Sequence, residues 1–171
     1  MRSIDERLSR ALHGLKPGWL DYALLPPGVL FGSYGLPFVI LAVGLLNWRL
    51  ALVCTLAAIT TLAFTGPLKH YIGRPRPLPA PAGRAFGLRA LVDNPSFPSG
   101  DSAQAAAFAM LLVLHGPFED WRRWLFLLLA PLCMFSRIYY GAHWIGDTLA
   151  GAAIGAAVGA LYAGWFGAWL A

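Results

Sequence analysis

A histidine and an aspartate near the start of the last apolar segment have the spacing of a nucleophile and the carboxylate that activates it. His143 and Asp147 are four residues apart and would share one face of a helix that covers both. A carboxylate bonded to one imidazole nitrogen fixes the tautomer and raises the basicity of the other nitrogen. Just before them, the planar guanidinium of Arg137 can hold a phosphoryl group. Alternatively, His143 and Asp147 are two buried polar groups that only satisfy each other.

Two more polar clusters stand at the borders of apolar segments. In one, Lys69 and Arg76 are seven residues apart, and prolines stiffen the chain around Arg76. In the other, Ser99 and Gly100 are expected to begin a helix, where free N–H groups and the positive end of the helix dipole favour an anion. Each cluster also has a simpler interpretation. Lys69 and Arg76 could form a basic patch for anionic lipid, and Ser99 could be an ordinary N-cap.

Taken together, the three clusters have the composition of a phosphoryl-transfer site. They supply three cations, a helix N-terminus and a histidine paired with a carboxylate. A phosphoryl group in transfer needs charge stabilisation around its equatorial oxygens and an in-line nucleophile. Because all three clusters are predicted on the same membrane face, we interpret them as one active site.

The composition places this site in a membrane protein. Of the 171 residues, 58% are hydrophobic and 12% are charged, whereas a soluble domain carries about 45–50% apolar and about 25% charged residues. These values argue against a water-soluble globule, a disordered chain, a coiled coil and a nucleic-acid partner. We predict an all-α integral membrane bundle that forms a single domain over residues 1–171.

The apolar segments predict about five transmembrane helices, since a spanning helix needs roughly 20 mostly apolar residues. An amphipathic pattern over 3–15 predicts a helix in the headgroup plane, with its basic residues towards anionic lipid. A proline-rich connection over 69–99 is predicted to be the active-site loop, without helix or strand. The predicted transmembrane segments are 29–46, 50–68, 100–115, 121–140 and 144–169.

Five crossings would place the N-terminus, the long loop and the turn before the last helix on one side of the membrane. That side carries ten of the 13 lysines and arginines, and the other side carries three. The positive-inside rule then predicts that the active-site face lies in the cytoplasm. We expect an integral protein of the cell (inner) membrane.

The three clusters together resemble the tripartite signature of the type 2 phosphatidic acid phosphatase superfamily, which also includes vanadium haloperoxidases. The resemblance covers about 80 residues, and the combined spacing is specific although each piece alone is weak. The matching residues are Lys69, then Arg76-Pro77 after six residues; Pro98-Ser99-Gly100; and Ser136-Arg137, then His143 after five residues and Asp147 after three more.

This resemblance implies hydrolysis of a membrane lipid phosphate through a phosphohistidine intermediate, without metal or cofactor. His143 would attack phosphorus, Asp147 would orient its ring, and water would then hydrolyse the phosphoenzyme. The phosphoryl oxygens would be bound by Lys69, Arg76, Arg137, Ser99 and the backbone N–H of Gly100.

The sequence departs from the family pattern at Asp101, where the family's middle motif normally has a histidine that protonates the leaving group. A carboxylate near a helix N-terminus and beside cations should stay ionised and be a poor acid at pH 7. Either Asp101 is desolvated enough to remain protonated, or another group such as His70 donates the proton, or the leaving group needs little help. Arg74 is a possible auxiliary residue that could steer anionic substrates or only set topology.

The last of these explanations predicts a preference for isoprenyl or polyprenyl diphosphates, because phosphate leaves far more readily than a lipid alkoxide. Monophosphates of the phosphatidic acid type are the other possible substrates. The alternative is a degenerate member that binds phospholipid headgroups or partners without turnover, and Asp101 is the residue that motivates it.

Overall fold

The computed structural model describes residues 3–15, 18–77 and 95–171, and these residues form helices and turns without a strand. The predicted all-α class is therefore confirmed for the described chain. Most of the predicted active-site loop, residues 78–94, lies outside the described residues. The helices are α1 (Ile4–His13), α2 (Gly18–Ala23), α3 (Leu25–Leu30), α4 (Leu36–Leu46), α5 (Trp48–Ile72), α6 (Gly100–His115), a 3₁₀ helix (Trp121–Leu128), α7 (Leu129–Tyr139) and α8 (Ile145–Leu170).

Two of these helices, α5 and α8, are long and apolar enough to cross a membrane. Helix α5 has 25 residues, which gives it a length of about 38 Å. It begins at the Asn47 cap, whose side chain accepts the N–H groups of Arg49 and Leu50, and it ends at Gly73 in the left-handed conformation (φ 62°). Because α5 continues to Ile72, Lys69 belongs to this helix, and the prediction that the loop begins at residue 69 is wrong.

The predicted continuous helix over 29–46 is also wrong, because the chain breaks between α3 and α4. Residues 31–35 form turns, and α4 starts at Leu36 with a proline, Pro37, in its first turn. Proline suits the first turn of a helix, where its missing N–H is not needed. At Gly35, an added Cβ would lie only 2.3 Å from the carbonyl oxygen of Val29, so this tight turn requires glycine.

The segment predicted as one helix over 121–140 has two parts. Its first eight residues are a 3₁₀ helix, which passes directly into α7 at Leu129. Pro131 stands in the first turn of α7, where the absence of its N–H costs least. Helix α7 ends at Tyr139, and only five residues connect it to α8.

Helices α6 and α8 pack closely along a stripe of glycines on α8. A Cβ added to Gly151, Gly155 or Gly159 would lie 2.2, 1.9 or 2.7 Å from a backbone carbonyl oxygen of Ser99 or of α6. Only residues without a side chain allow this approach, which supports the packing interpretation of small residues at fourfold spacing. The close contact brings the start of α6 beside the start of α8, where the N–H of Ser99 donates to the carbonyl of Asp147 at 2.9 Å.

Helix α1 is amphipathic, but its polar face lies against the protein. Ser9 is buried, whereas Ile4 and Leu8 are 75% and 54% exposed. The guanidinium of Arg10 lies 5.5 Å from the ring centre of Trp144. The prediction that the basic residues of this helix face lipid is therefore wrong for Arg10, which packs on the turn before α8.

Candidate active site

The structure brings the histidine of the third cluster against the arginine of the first. One guanidinium nitrogen of Arg76 (Nη1) lies 3.3 Å from Nε2 of His143 and also donates to the carbonyl of Ala142 at 2.8 Å. The ring of His143 is buried and lies within electrostatic range of Arg137, Arg76 and Lys69. The three cations and the histidine that the spacing singled out therefore share one site.

The turn between α7 and α8 sets the orientation of His143 towards Asp147. The carbonyl of Arg137 accepts the N–H groups of Ala142 and His143 at 2.9 and 3.3 Å, and Gly141 takes a positive φ of 67°. The prediction that one helix covers both His143 and Asp147 is wrong, because α8 begins at Ile145, two residues after His143. Even so, its Nδ1 is 3.6 Å from Oδ2 of Asp147.

The hydrogen-bond partners of the ring indicate which nitrogen carries the proton. A guanidinium can only donate, so Nε2 of His143, which faces Arg76, must be the acceptor. The proton then sits on Nδ1 and points towards the carboxylate of Asp147, at a separation longer than a hydrogen bond. Asp147 is fully buried, and its Oδ2 also accepts the N–H of Trp144 at 2.9 Å. This tautomer leaves the lone pair of Nε2 as the nucleophilic position.

Burial, with a smaller contribution from the positive charges of Arg137, Arg76 and Lys69, lowers the pKa of His143 to about 4 against the opposing influence of Asp147. An imidazole with this pKa is neutral at pH 7, and only the neutral ring can attack phosphorus. Compared with an exposed histidine, whose pKa is about 6.5, the ring keeps its lone pair over a wider range of acid pH.

Arg137 is buried and is held from two sides. Its Nη1 donates to the carbonyl of Gly28 at 3.1 Å, and its Nη2 forms an ion pair with Oδ2 of Asp101 at 2.9 Å. Its Nε is buried without a hydrogen-bond partner among the described residues. The carboxylate of Asp101 therefore faces the guanidinium of a phosphate-binding candidate.

Lys69 and the start of α6 complete the group of cations and donors. The ammonium of Lys69 donates to the carbonyls of Pro95 and Ser96 at 3.3 and 3.4 Å, which ties α5 to the segment before α6. Ser99 is the N-cap, since its Oγ accepts the N–H of Ser102. Within residues 3–15, 18–77 and 95–171, the N–H groups of Gly100 and Asp101 have no hydrogen-bond partner. Free donors at a helix start attract an anion.

The two auxiliary candidates, Arg74 and His70, differ in their contacts with the His143–Asp147 pair. Arg74 binds Oδ1 of Asp147 at 2.7 Å and, with its other terminal nitrogen, Asp5 at 2.7 Å. His70 is exposed on α5, and no described side chain forms a hydrogen bond or ion pair with it. The structure thus joins Arg74 to the His143–Asp147 pair and does not join His70 to it. Among the described residues, no group of His, Cys, Asp and Glu side chains could hold a metal ion.

Several residues that hold the site in place were not predicted. Asp5 and Ser9 of α1 reach the start of α8, and the hydroxyl of Tyr139 donates to Asp21 of α2 at 2.7 Å. The ring nitrogen of Trp144 donates to the carbonyl of Pro75 at 2.8 Å. The one available signal was the fourfold spacing of Asp5 and Ser9, which places both on the polar face of α1.

Comparisons with known proteins agree on one family. A model of the PAP2 superfamily matches residues 48–170, a range that contains all three motifs. Phosphatidylglycerophosphatase B of Bacillus subtilis (strain 168) is 30% identical over 169 residues, which cover 90% of this chain and 79% of the relative.

Two solved structures have the same fold. The crystal structure of a transmembrane PAP2-type phosphatidylglycerolphosphate phosphatase from Bacillus subtilis has a TM-score of 0.77 and 28% identity, and the match covers 96% of this chain and 85% of that one. Aquifex aeolicus LpxE has a TM-score of 0.76 and 24% identity over 94% of this chain and 95% of the other.

Proposed function

Because this chain belongs to the PAP2 superfamily and is a membrane lipid phosphatase of that type, we propose that it hydrolyses a lipid phosphate through a phosphohistidine formed on His143. The observation that carries the proposal is the buried, neutral ring of His143, with Asp147 on its Nδ1 side and Arg76 at Nε2. This is the arrangement of a nucleophile activated by a carboxylate and placed beside a phosphate-binding cation.

In the first step, Nε2 of His143 forms a bond to phosphorus while the bond from phosphorus to the leaving oxygen breaks. The ring becomes positively charged, and the carboxylate of Asp147, 3.6 Å from Nδ1, stabilises that charge as it appears. Arg76 occupies the position that the phosphoryl group must take and would turn from the ring to its oxygens. In the second step, water attacks phosphorus, phosphate is released and His143 returns to its neutral form.

The phosphoryl oxygens would be bound by side chains and by the start of α6. Lys69, Arg76 and Arg137 supply positive charge, and the N–H groups of Gly100 and Asp101 supply donors that are free in the described chain. Ser99 holds these groups in place as the N-cap of α6. Donors and charges fixed in advance around a transferring phosphoryl group are the main source of rate acceleration in such sites.

Phosphate release from a lipid phosphate in detergent micelles tests the mechanism. We expect His143→Ala to lose several orders of magnitude in kcat, whereas His115→Ala, at the opposite end of α6, should retain the wild-type rate. Vanadate should inhibit as a mimic of five-coordinate phosphorus, and a chelator should have no effect. A wild-type protein that binds lipid phosphate without releasing phosphate would instead favour the alternative, a degenerate member that binds phospholipid headgroups without turnover.

The ion pair between Asp101 and Arg137 supports a preference for diphosphate substrates. The carboxylate of Asp101 faces the guanidinium of Arg137 at 2.9 Å, so it is placed to pair with a cation and not to give a proton to a departing alkoxide. A phosphate leaving group already departs as a stable anion and needs no general acid. Isoprenyl or polyprenyl diphosphates are therefore the favoured substrates, and the name of the Bacillus subtilis relative makes phosphatidylglycerophosphate the second candidate.

One lipid offered as its monophosphate and as its diphosphate tests this preference. We expect the wild-type kcat/KM to be at least about tenfold higher for the diphosphate, since general-acid assistance is worth about 10²- to 10⁴-fold where it is needed. Asp101→His, which restores the family's usual residue, should narrow the difference by raising the monophosphate rate. Equal wild-type rates on both lipids would contradict the preference.

We also propose five membrane crossings with the active site on the cytoplasmic side. The order along the chain of α3 with α4, α5, α6, the 3₁₀ helix with α7, and α8 supports the crossings. The sequence count, which predicts ten of 13 lysines and arginines on the side of the site, supports the orientation. The native cysteines are buried, so single cysteines at exposed Arg7 and Glu119 can be labelled in intact cells with an impermeant maleimide. Labelling at residue 119 alone is expected, and labelling at residue 7 alone would reverse the orientation.

A further inference from the structure

The N-terminal helix α1 lies between the start of α8 and an exposed apolar surface. Its inner face carries Asp5 and Ser9, and both side chains contact the first turn of α8. Its outer face carries the exposed Ile4 and Leu8. An amphipathic helix that lies on a bilayer presents such an apolar face to lipid, which leaves the polar face free to contact the protein.

The carboxylate of Asp5 accepts hydrogen bonds from three groups. Its Oδ1 accepts the N–H of Gly146 at 3.1 Å and the hydroxyl of Ser9 at 3.3 Å, and its Oδ2 pairs with Arg74 at 2.7 Å. A Cβ added to Gly146 would lie 2.9 Å from Oδ2 of Asp5 and 3.4 Å from Nη1 of Arg74. Glycine at 146 is therefore what allows the carboxylate and the guanidinium to reach this turn together.

Ser9 completes the same contact. Its hydroxyl accepts the N–H of Ile145 at 2.9 Å, so the first two N–H groups of α8 both find their acceptors on α1. Helix N-terminal N–H groups have no partner inside their own helix, and a cap from the residue just before the helix is the usual solution. Here two of these groups are capped by a helix more than 130 residues earlier in the chain.

Arg74 links Asp5 to Asp147. One terminal nitrogen of its guanidinium binds Asp5 and the other binds Oδ1 of Asp147, each at 2.7 Å. Both bonds are charge-assisted, and the planar group fixes the direction between its two partners. With Oδ1 held by Arg74, the remaining oxygen of Asp147 is directed to the N–H of Trp144 and to His143. The orientation of the carboxylate thus depends on where Arg74 is held.

We propose that Asp5 is a positioning residue of the phosphatase reaction, which through Arg74 sets the carboxylate of Asp147 against His143. The inference rests on the proposed function of His143 and Asp147. It assigns to α1 a part in catalysis and not only in membrane association. Asp5 does not touch the phosphoryl group, so its effect is on the reactivity of the nucleophile and not on substrate binding.

The test compares Asp5→Asn with Glu6→Gln in the full-length protein, using phosphate release from lipid phosphate in micelles. Asn has the shape of Asp and can still accept from Gly146, but it cannot form the ion pair with Arg74. We expect kcat to fall about ten- to hundredfold, the range typical when an outer partner orients a reactive group, with KM unchanged. Glu6 lies beside Asp5 and its side chain has no partner among the described residues, so Glu6→Gln should retain the wild-type kcat.

A double-mutant comparison separates positioning from a purely structural cap. If Asp5 acts through Arg74, Asp5→Asn should cause no further loss of kcat in an Arg74→Met background. If Asp5 only caps α8, the loss should be the same in both backgrounds, and the inference is wrong. Gly146→Ala provides a second route to the same contact, and it should lower kcat without raising KM.

The outcomes also separate this inference from the proposed function. A wild-type protein without phosphate release, or an active His143→Ala variant, would overturn the proposed function itself. An active wild-type protein whose Asp5→Asn variant has the same kcat, or in which KM rises and kcat does not change, would overturn only the role of Asp5. Thermal unfolding in detergent should show Asp5→Asn to be folded at the assay temperature.

Discussion

The two ends of the helical bundle handle charge in opposite ways. At the site end, the side chains of Arg137, His143 and Asp147 are buried, and their partners come from distant parts of the chain. At the far end, Arg122 and Asp120 are about half exposed (52% and 48%) and form an ion pair across only two residues. There Arg49 lies beside the rings of Trp48 and Trp169, as is typical of side chains at a membrane interface.

This difference shows which charges the fold is built around. Burying a charge costs several kcal/mol unless a partner is close. At the site end, α1, α3, α6 and the segment after α5 supply partners for the polar groups of α7, of the turn after it and of the start of α8. An exposed pair is worth at most about 1 kcal/mol and requires no such support. The concentration of long-range ion pairs at one end is therefore better explained by chemistry than by stability.

The largest effect is expected at Asp147. Asp147→Asn keeps the size of the side chain but removes the negative charge that stabilises the His143 imidazolium. It also removes one of the two ion pairs of Arg74 and leaves the pair with Asp5. We expect kcat for phosphate release to fall by about 10³- to 10⁴-fold, as when the aspartate of a histidine-based site loses its charge.

The control is the same change at the far end. Asp120→Asn removes a carboxylate whose partner in the described part of the chain is Arg122, and it should leave kcat at the wild-type value. An Asp147→Asn variant that retains more than a tenth of the wild-type kcat would contradict the role of Asp147 and weaken the contrast between the two ends.

The correct predictions depended on residues that are close together in the sequence. The bounds of α6 coincide with the predicted 100–115, because a serine cap at residue 99 begins the helix and Gly116 ends it. The fourfold spacing of Gly151, Gly155 and Gly159 indicated close packing, and α8 indeed contacts α6 along these residues. Each motif that contributes a cation or His143 is a short run of sequence, and the structure brings these runs together.

What could not be predicted depends on contacts between distant segments. Asp5 and Gly146 are 141 residues apart, and the spacing of Asp5 and Ser9 indicates a shared helix face but not the distant residues that this face contacts. Apolar composition alone could not show the break between α3 and α4, where a tight turn at Gly35 interrupts an otherwise hydrophobic run. His70 and Arg74 were equivalent candidates by position, and only the fold separates them.

An intermediate effect is expected in the contact between α6 and α8, which runs between the two ends. In Gly155→Ala, the new methyl group would lie 1.9 Å from the carbonyl oxygen of Ala103, so α6 and α8 must move apart. We expect a loss of about 1–3 kcal/mol in the free energy of unfolding, measured by denaturation in detergent. Gly164→Ala, on the same helix with no atom within 4 Å of the added Cβ, should be neutral or slightly stabilising. Equal losses in both variants would contradict the close packing.

A smaller effect is expected from pH. Burial lowers the pKa of His143 to about 4, whereas in the unfolded chain the ring has a pKa of about 6.5. Between these values the unfolded state takes up a proton and the folded state does not, so the free energy of unfolding should decrease as the pH falls from about 6.5 to 4. The ring signal that disappears in His143→Ala should titrate near pH 4 by NMR. Titration at or above 6.5 would show that the ring is not held neutral by burial.

The smallest effect is expected at Arg122. Its guanidinium pairs with Asp120 at 2.9 Å and lies 4.5 Å from the ring centre of Phe118, but it is exposed and its partners are on its own turn. Because solvent already screens this charge, Arg122→Ala should change kcat by less than about twofold and the midpoint of thermal unfolding by less than about 2 °C. The equivalent change at the site end, Arg137→Ala, removes a buried cation that bonds Gly28 and Asp101, and both quantities should fall clearly. If the two variants behaved alike, burial and long-range pairing would not distinguish the functional end of this bundle from the other.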